Sequence, residues 1–524
     1  MHKPSPVSNF LSSIFLLLFS ILLFLSSHAR NGATGHPEIN DEKSLRAYLD
    51  EKNALYEKLI VDLGEEYWKY YANEPGYELK GPKNAIARFF SDPTFTGEIN
   101  RWYRDRQSIR DTMLSREIFL WHNLVVACGI TLNEEVRTLQ TRIEDSITAR
   151  MTSGKKDQWG AIDSLTLKLM LLRNEYSRKA GFRDFGDASL DLSFMNAADF
   201  YRVVGVIDSM TLEPYRRLVA DYKSEKAAGE FTRRGFYTLF MRYMMATEND
   251  QVPPDSNRYY MVKTLAGIGI DFSKLPITTF IDKPLPPPVG GQGIAVRIPD
   301  DFRIVVIPEL PFSARMHEIG HGLQAMFTTI GSPVLKGYEW LLGGLSPTYG
   351  EGMADVMRRF VSNPEWMMTC KKISADSIKQ WRIEAEKYFP VYMRSFLAQF
   401  MVEMELYKNP AQNMEELENR MYQKYLLIEK PFKRMGPLTD NMIISYPVYM
   451  HNYLFSEIIA WQVHDALRKK FGKDYPFRTE TGAFLKTKLY RDGEYYNWRE
   501  KLKNATGRTL DVEGFLKAKM GIPE

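Results

Sequence analysis

Met316-His317-Glu318-Ile319-Gly320-His321-Gly322 constrains this 524-residue chain more tightly than any other stretch. Its H-E-x-x-H spacing carries chemistry only on a helix, where side chains four residues apart share one face. There His317 and His321 project side by side and can grip one Zn²⁺. Glu318 lies next to them, placed to take a proton from an attacking water.

A catalytic zinc takes three protein ligands and keeps one position open. A third His further along the same stretch is excluded, because Gln324 and Phe327 occupy the positions where Gly and His would stand. The other solution is a Glu from a later helix. Ser346-Pro347-Thr348-Tyr349-Gly350-Glu351-Gly352-Met353-Ala354-Asp355 supplies it, with Pro347 and Gly350 breaking the chain before a helical run. Glu351 and Asp355 then lie one turn apart on one face. Glu351 can complete the metal shell while Asp355 accepts the outer N–H of a ligand imidazole and fixes its tautomer. Glu339 competes for the ligand role, but it has no acidic partner one turn on.

Asp301-Phe302-Arg303-Ile304, the H-E-x-x-H stretch and Ser346 to Val356 together resemble the catalytic core of the angiotensin-converting-enzyme family of peptidyl-dipeptidases. His321-Gly322-Leu323-Gln324-Ala325-Met326 is closer to the thimet-type oligopeptidases, zinc peptidases of the same gluzincin type. Near the C-terminus, Asn452-Tyr453-Leu454-Phe455-Ser456-Glu457 resembles the oligopeptidase helix, and Trp461 to Leu467 the converting-enzyme helix at the same place. Both alignments put the family's transition-state tyrosine on Tyr453. The resemblance covers residues 290–360 and 440–470. It implies a mainly α fold: a large two-lobed helical body with a deep central channel and a small β-hairpin or sheet beside the zinc helix. It also implies that Tyr453 donates a hydrogen bond to the oxyanion, with Tyr446 and His451 as further residues facing the substrate. Pro447 argues against one continuous helix from Tyr446 to Tyr453.

Gly293 to Ile307 reads as a β-hairpin, since β-branched residues flank a Pro299-Asp300-Asp301 turn. In the family such a strand pairs with the substrate backbone, and Ala295 stands where a pairing residue is expected.

Residues 1–29 read as a secretory signal: Lys3, an apolar stretch from Phe10 to Leu25, then Ser27-His28-Ala29 as a cleavage site. The expected product is an exported protein, periplasmic or extracellular, with residues 30–524 as one helical domain and no membrane span. A net charge of +4 with mixed signs gives no case for nucleic acid. Cys128 and Cys370 are too few for a disulfide framework, and pairing between them stays open. Apolar spacing of three and four predicts helices over residues 45–71, 113–151, 197–226 and 378–407. The aromatic run from Tyr67 to Tyr71 reads as packing between helices. These features point to a secreted peptidase of short peptides with one Zn²⁺ per chain. The alternative is a catalytically inactive peptide-binding or scaffold relative of the same fold.

Overall fold

The computed structural model describes residues 39–153, 159–247, 252–284, 290–432 and 441–523. Residues 1–29 lie outside this range, as does most of the Pro-rich stretch before the hairpin. The chain divides after Lys52, within the first helix among the described residues, Glu42–Tyr71; Asn53–Glu524 form one compact unit containing the sheet and the candidate site.

Helices dominate, as expected. Ala197–Glu225 and Ala375–Lys408 fall where apolar spacing puts them. The predicted helix over 113–151 is instead two, Thr112–Thr131 and Glu134–Ser153. Asn133 causes the break: its side chain accepts the Glu135 N–H at 3.0 Å, which suits Asn at a helix start better than inside a helix.

The expected hairpin is present as β2 (Gly291–Arg297) antiparallel to β3 (Asp301–Val306), and β1 (Ile277–Asp282) joins β3 in parallel on its other side. The third strand was not visible in the sequence pattern. Ile294, Val296 and Val305 pack against Val61, Trp68, Tyr71 and Ala72, so the aromatic run does bury against a neighbour, though that neighbour is the sheet. Arg303 on β3 reaches Glu65 with a bidentate pair at 2.7 and 2.8 Å, tying strand to helix.

The H-E-x-x-H stretch lies on Phe312–Met326, hereafter the motif helix. Buried Arg315 holds its start in place, donating to the carbonyls of Ile307, Pro308 and Leu310 and to the Asp282 carboxylate of β1. Glu351 lies on Pro347–Val361, the acidic helix, which begins earlier than expected because Pro347 takes its first position and Ser346 caps it. Tyr453 lies on His451–Phe471, the tyrosine helix. The acidic helix packs between the other two, and two glycines set how closely. A Cβ on Gly320 would come within 2.5 Å of Ala354 Cα, and one on Gly352 within 2.8 Å of Ile459 Cγ2.

Candidate metal centre

The close approach at Gly320 brings Glu351 over the exposed edge of the His317–His321 pair. One ligand atom from each of the three residues lies within 4.8 Å of the other two. The Nε2 atoms of His317 and His321 are 3.2 Å apart. Glu351 Oε2 is 3.2 Å from the first and 3.8 Å from the second. That oxygen is buried and has no hydrogen-bond partner. A buried carboxylate oxygen without a partner is costly unless something cationic meets it. Two imidazoles and one carboxylate oxygen aimed at one point suit a divalent ion, so the donor set fits the expected metal.

The outer contacts hold this geometry. Asp355 Oδ1 lies 2.9 Å from His317 Nδ1, and Ser456 on the tyrosine helix donates to Asp355 Oδ2 at 2.6 Å. Arg358 approaches Asp355 Oδ1 to 2.8 Å, and both Arg358 and Arg359 pair with Glu457. His317 and Asp355 thus stand where the sequence pattern put them. Burial alone would push His317 down, but the hydrogen bond with Asp355 and the negative charges of Asp355 and Glu351 outweigh it and bring its pKa up to about 10. Burial, reinforced by the His317 charge, keeps His321 below its usual value.

Glu318 turns towards the sheet. Its Oε2 accepts the Gly293 N–H of β2 at 2.6 Å, which fixes the direction of the carboxylate. Because that N–H points away from β3, strand alternation turns the main-chain groups of Gly291, Gly293 and Ala295 to the free edge. The opposite set faces β3, as the bond from Ile307 N–H to the Gly290 carbonyl at 2.8 Å requires. Ala295 therefore turns its main-chain groups to the edge of β2 that is not paired with β3.

Tyr453 is half-buried on the first turn of its helix. The Glu351 carboxylate foremost, then burial and the Glu318 carboxylate, hold its phenol well above the usual range, so it remains a donor. One expected substrate contact is placed differently. His451 is 2% exposed, its ring packed against Phe200 and Phe455, and burial pushes its pKa down to about 3. It is a neutral core residue, because the helix starts at His451 with that side turned inwards. Tyr446 lies before the tyrosine helix, in the turn at Pro447; it is 40% exposed and its hydroxyl pairs with that of Tyr71.

Sequence reasoning missed Tyr449, whose hydroxyl donates to Glu351 Oε1 at 2.6 Å. It precedes Tyr453 by four residues, a spacing that was readable, but it lies before the helix starts. Ser456 carries no signal of its own in the sequence, since its contact with Asp355 joins two separate helices. Glu339, the rejected ligand, lies at the solvent surface near the centre. The surrounding protein, then the Glu351 and Glu318 carboxylates, push its carboxyl up to about 8. An acid raised in this way binds more protons folded than unfolded, so its contribution to stability is lost as pH rises from about 4.5 to about 8. In metal-free protein, Glu339→Gln should gain thermal stability relative to wild type across that window, modestly because the group meets solvent. A difference independent of pH would contradict this assignment.

Cys128 and Cys370 are both buried free thiols. Among the described residues, no helix is long and apolar enough to cross a membrane.

The chain thus combines a mainly helical fold, a small three-stranded sheet and a centre of two histidines and a glutamate. No protein-family profile matches it, and no curated protein does. Its fold matches solved peptidase structures. The M32 carboxypeptidase from Deinococcus radiodurans R1 superposes with a TM-score of 0.65 at 15% identity, over 91% of this chain and 98% of that one. Trypanosoma cruzi metallocarboxypeptidase 1 gives 0.64 at 15% identity, over 91% and 99%. A putative oligoendopeptidase F from Bacillus anthracis str. Ames gives 0.56 at 11% identity, over 99% and 96%. At these identities the shared property is the fold.

Proposed function

We propose that this chain is a zinc-dependent peptidase of short peptides, acting after export. The observation that carries the proposal is the convergence of His317, His321 and the unpartnered Glu351 Oε2 beside Glu318. Two imidazoles with one carboxylate oxygen form a donor set that suits zinc, one ion per chain. The matching folds of a metallocarboxypeptidase and an oligoendopeptidase agree with this reading.

A bound zinc ion would supply Lewis acidity, polarising the scissile carbonyl and acidifying water. The free edge of β2 aligns the peptide main chain through the outward groups of Ala295. Glu318, steered by the Gly293 N–H, takes the proton of the attacking water and passes it to the leaving amine. Tyr453 donates to the oxygen that gains charge. Asp355, held by Ser456 and Arg358, keeps His317 in the tautomer whose Nε2 carries the free lone pair.

The test is a defined peptide library incubated with purified protein, with and without a chelator, and product masses read out. Cleavage abolished by chelator and restored by Zn²⁺ is expected. Cut positions separate dipeptide release, implied by the converting-enzyme resemblance, from removal of single C-terminal residues and from internal cleavage. Binding of peptides without any products would instead favour the inactive relative.

A further inference from the structure

The two carboxylate oxygens of Glu351 have unlike surroundings, and one residue makes them so. Tyr449 donates to Oε1 at 2.6 Å, while Oε2, buried and without a partner, faces His317 and His321. A short O–H···O⁻ bond of this kind is among the stronger hydrogen bonds. The Tyr449 ring is itself held edge-on between Tyr446 and Tyr453, with centroids 5.9 and 5.7 Å away at angles of 69° and 66°. Its hydroxyl therefore has little freedom to leave Oε1. A carboxylate with both oxygens free can bind a cation through one or both.

We infer that Tyr449 is a positioning residue: by occupying Oε1 it commits Glu351 to hold a divalent ion through Oε2 alone, leaving room beside the ion for substrate and water. This rests on the metallopeptidase reading above. It adds a residue outside the H-E-x-x-H stretch, the Glu351–Asp355 pair and Tyr453. It also explains why a tyrosine that precedes the helix turns back towards the acidic helix. Tyr449 does for Glu351 what Asp355 does for His317, fixing which atom of a ligand is free.

Tyr449→Phe removes the hydroxyl and keeps the ring, so it tests the bond with little change in packing. Metal-free wild type and variant are titrated with Zn²⁺ against a competing chelator. Both are also loaded with Co²⁺, whose d–d absorption weakens as its coordination number rises. Both proteins should bind one ion per chain, the variant about 10- to 100-fold more weakly. Its Co²⁺ bands should lose intensity as the second carboxylate oxygen joins the ion. Unchanged affinity with an unchanged spectrum overturns the inference, whatever happens to the unfolding midpoint. Lost turnover with both metal readouts unchanged also overturns it, since the hydroxyl would then act on substrate. Wild type that binds no ion overturns the metallopeptidase reading and this inference together. Wild type that binds, beside a variant that does not differ, overturns the inference alone.

Discussion

Glu318→Gln should keep its zinc and its fold while kcat for peptide hydrolysis falls by about 10²- to 10⁴-fold, the range a positioned general base contributes. The amide is nearly the same size as the carboxylate. Its oxygen can still accept the Gly293 N–H that Glu318 Oε2 accepts at 2.6 Å, so the side chain should stay in place. What is lost is the ability to take up a proton. KM should change little, because the substrate main chain is held by the β2 edge and not by Glu318. Steady-state kinetics on a cleaved library peptide, with zinc content measured on the same preparation, decides the matter. Near-native turnover in a variant that retains zinc would remove Glu318 from the mechanism.

The second large effect concerns packing. Gly320→Ala would place a methyl 2.5 Å from Ala354 Cα and 2.8 Å from the Ala354 carbonyl oxygen. These are backbone atoms of the acidic helix and cannot swing aside as a side chain would. Within a helix Ala is favoured over Gly by about 0.5–1 kcal/mol, so local propensity alone predicts a gain. Overpacking should outweigh it, with a net loss of about 1–3 kcal/mol. Relief of the clash must part the motif and acidic helices, and these carry His317 and Glu351 respectively. Zinc affinity should therefore fall together with the unfolding midpoint. Thermal unfolding of metal-free protein and a Zn²⁺ titration measure the two effects. A variant as stable as wild type, with unchanged affinity, would mean the helices do not rely on this contact.

The centre was largely legible because its information is local. His317, Glu318 and His321 lie within one helical turn, and Glu351 and Asp355 within another; the structure sets the five beside one another. The long helices were legible for the same reason, since apolar spacing repeats along the chain. Legibility failed where a contact is made by distant segments or by a turn. The parallel β1–β3 pairing joins strands separated by β2 in sequence, and no local pattern encodes it. Asn133 interrupts a continuous apolar spacing through a single hydrogen bond. The turn at Pro447 governs three residues at once. It leaves Tyr446 on the Tyr71 hydroxyl, directs Tyr449 to Glu351, and starts the helix so that His451 faces Phe200. Family register placed His451 towards the substrate because register carries no account of that turn.

Zinc content after exhaustive dialysis tests the convergence of His317, His321 and Glu351 most directly, read on wild type and on His321→Ala. One equivalent per wild-type chain and none in the variant is the predicted result. A wild-type chain without zinc, or a variant that holds a full equivalent as tightly, would contradict the proposal that these three side chains share one ion.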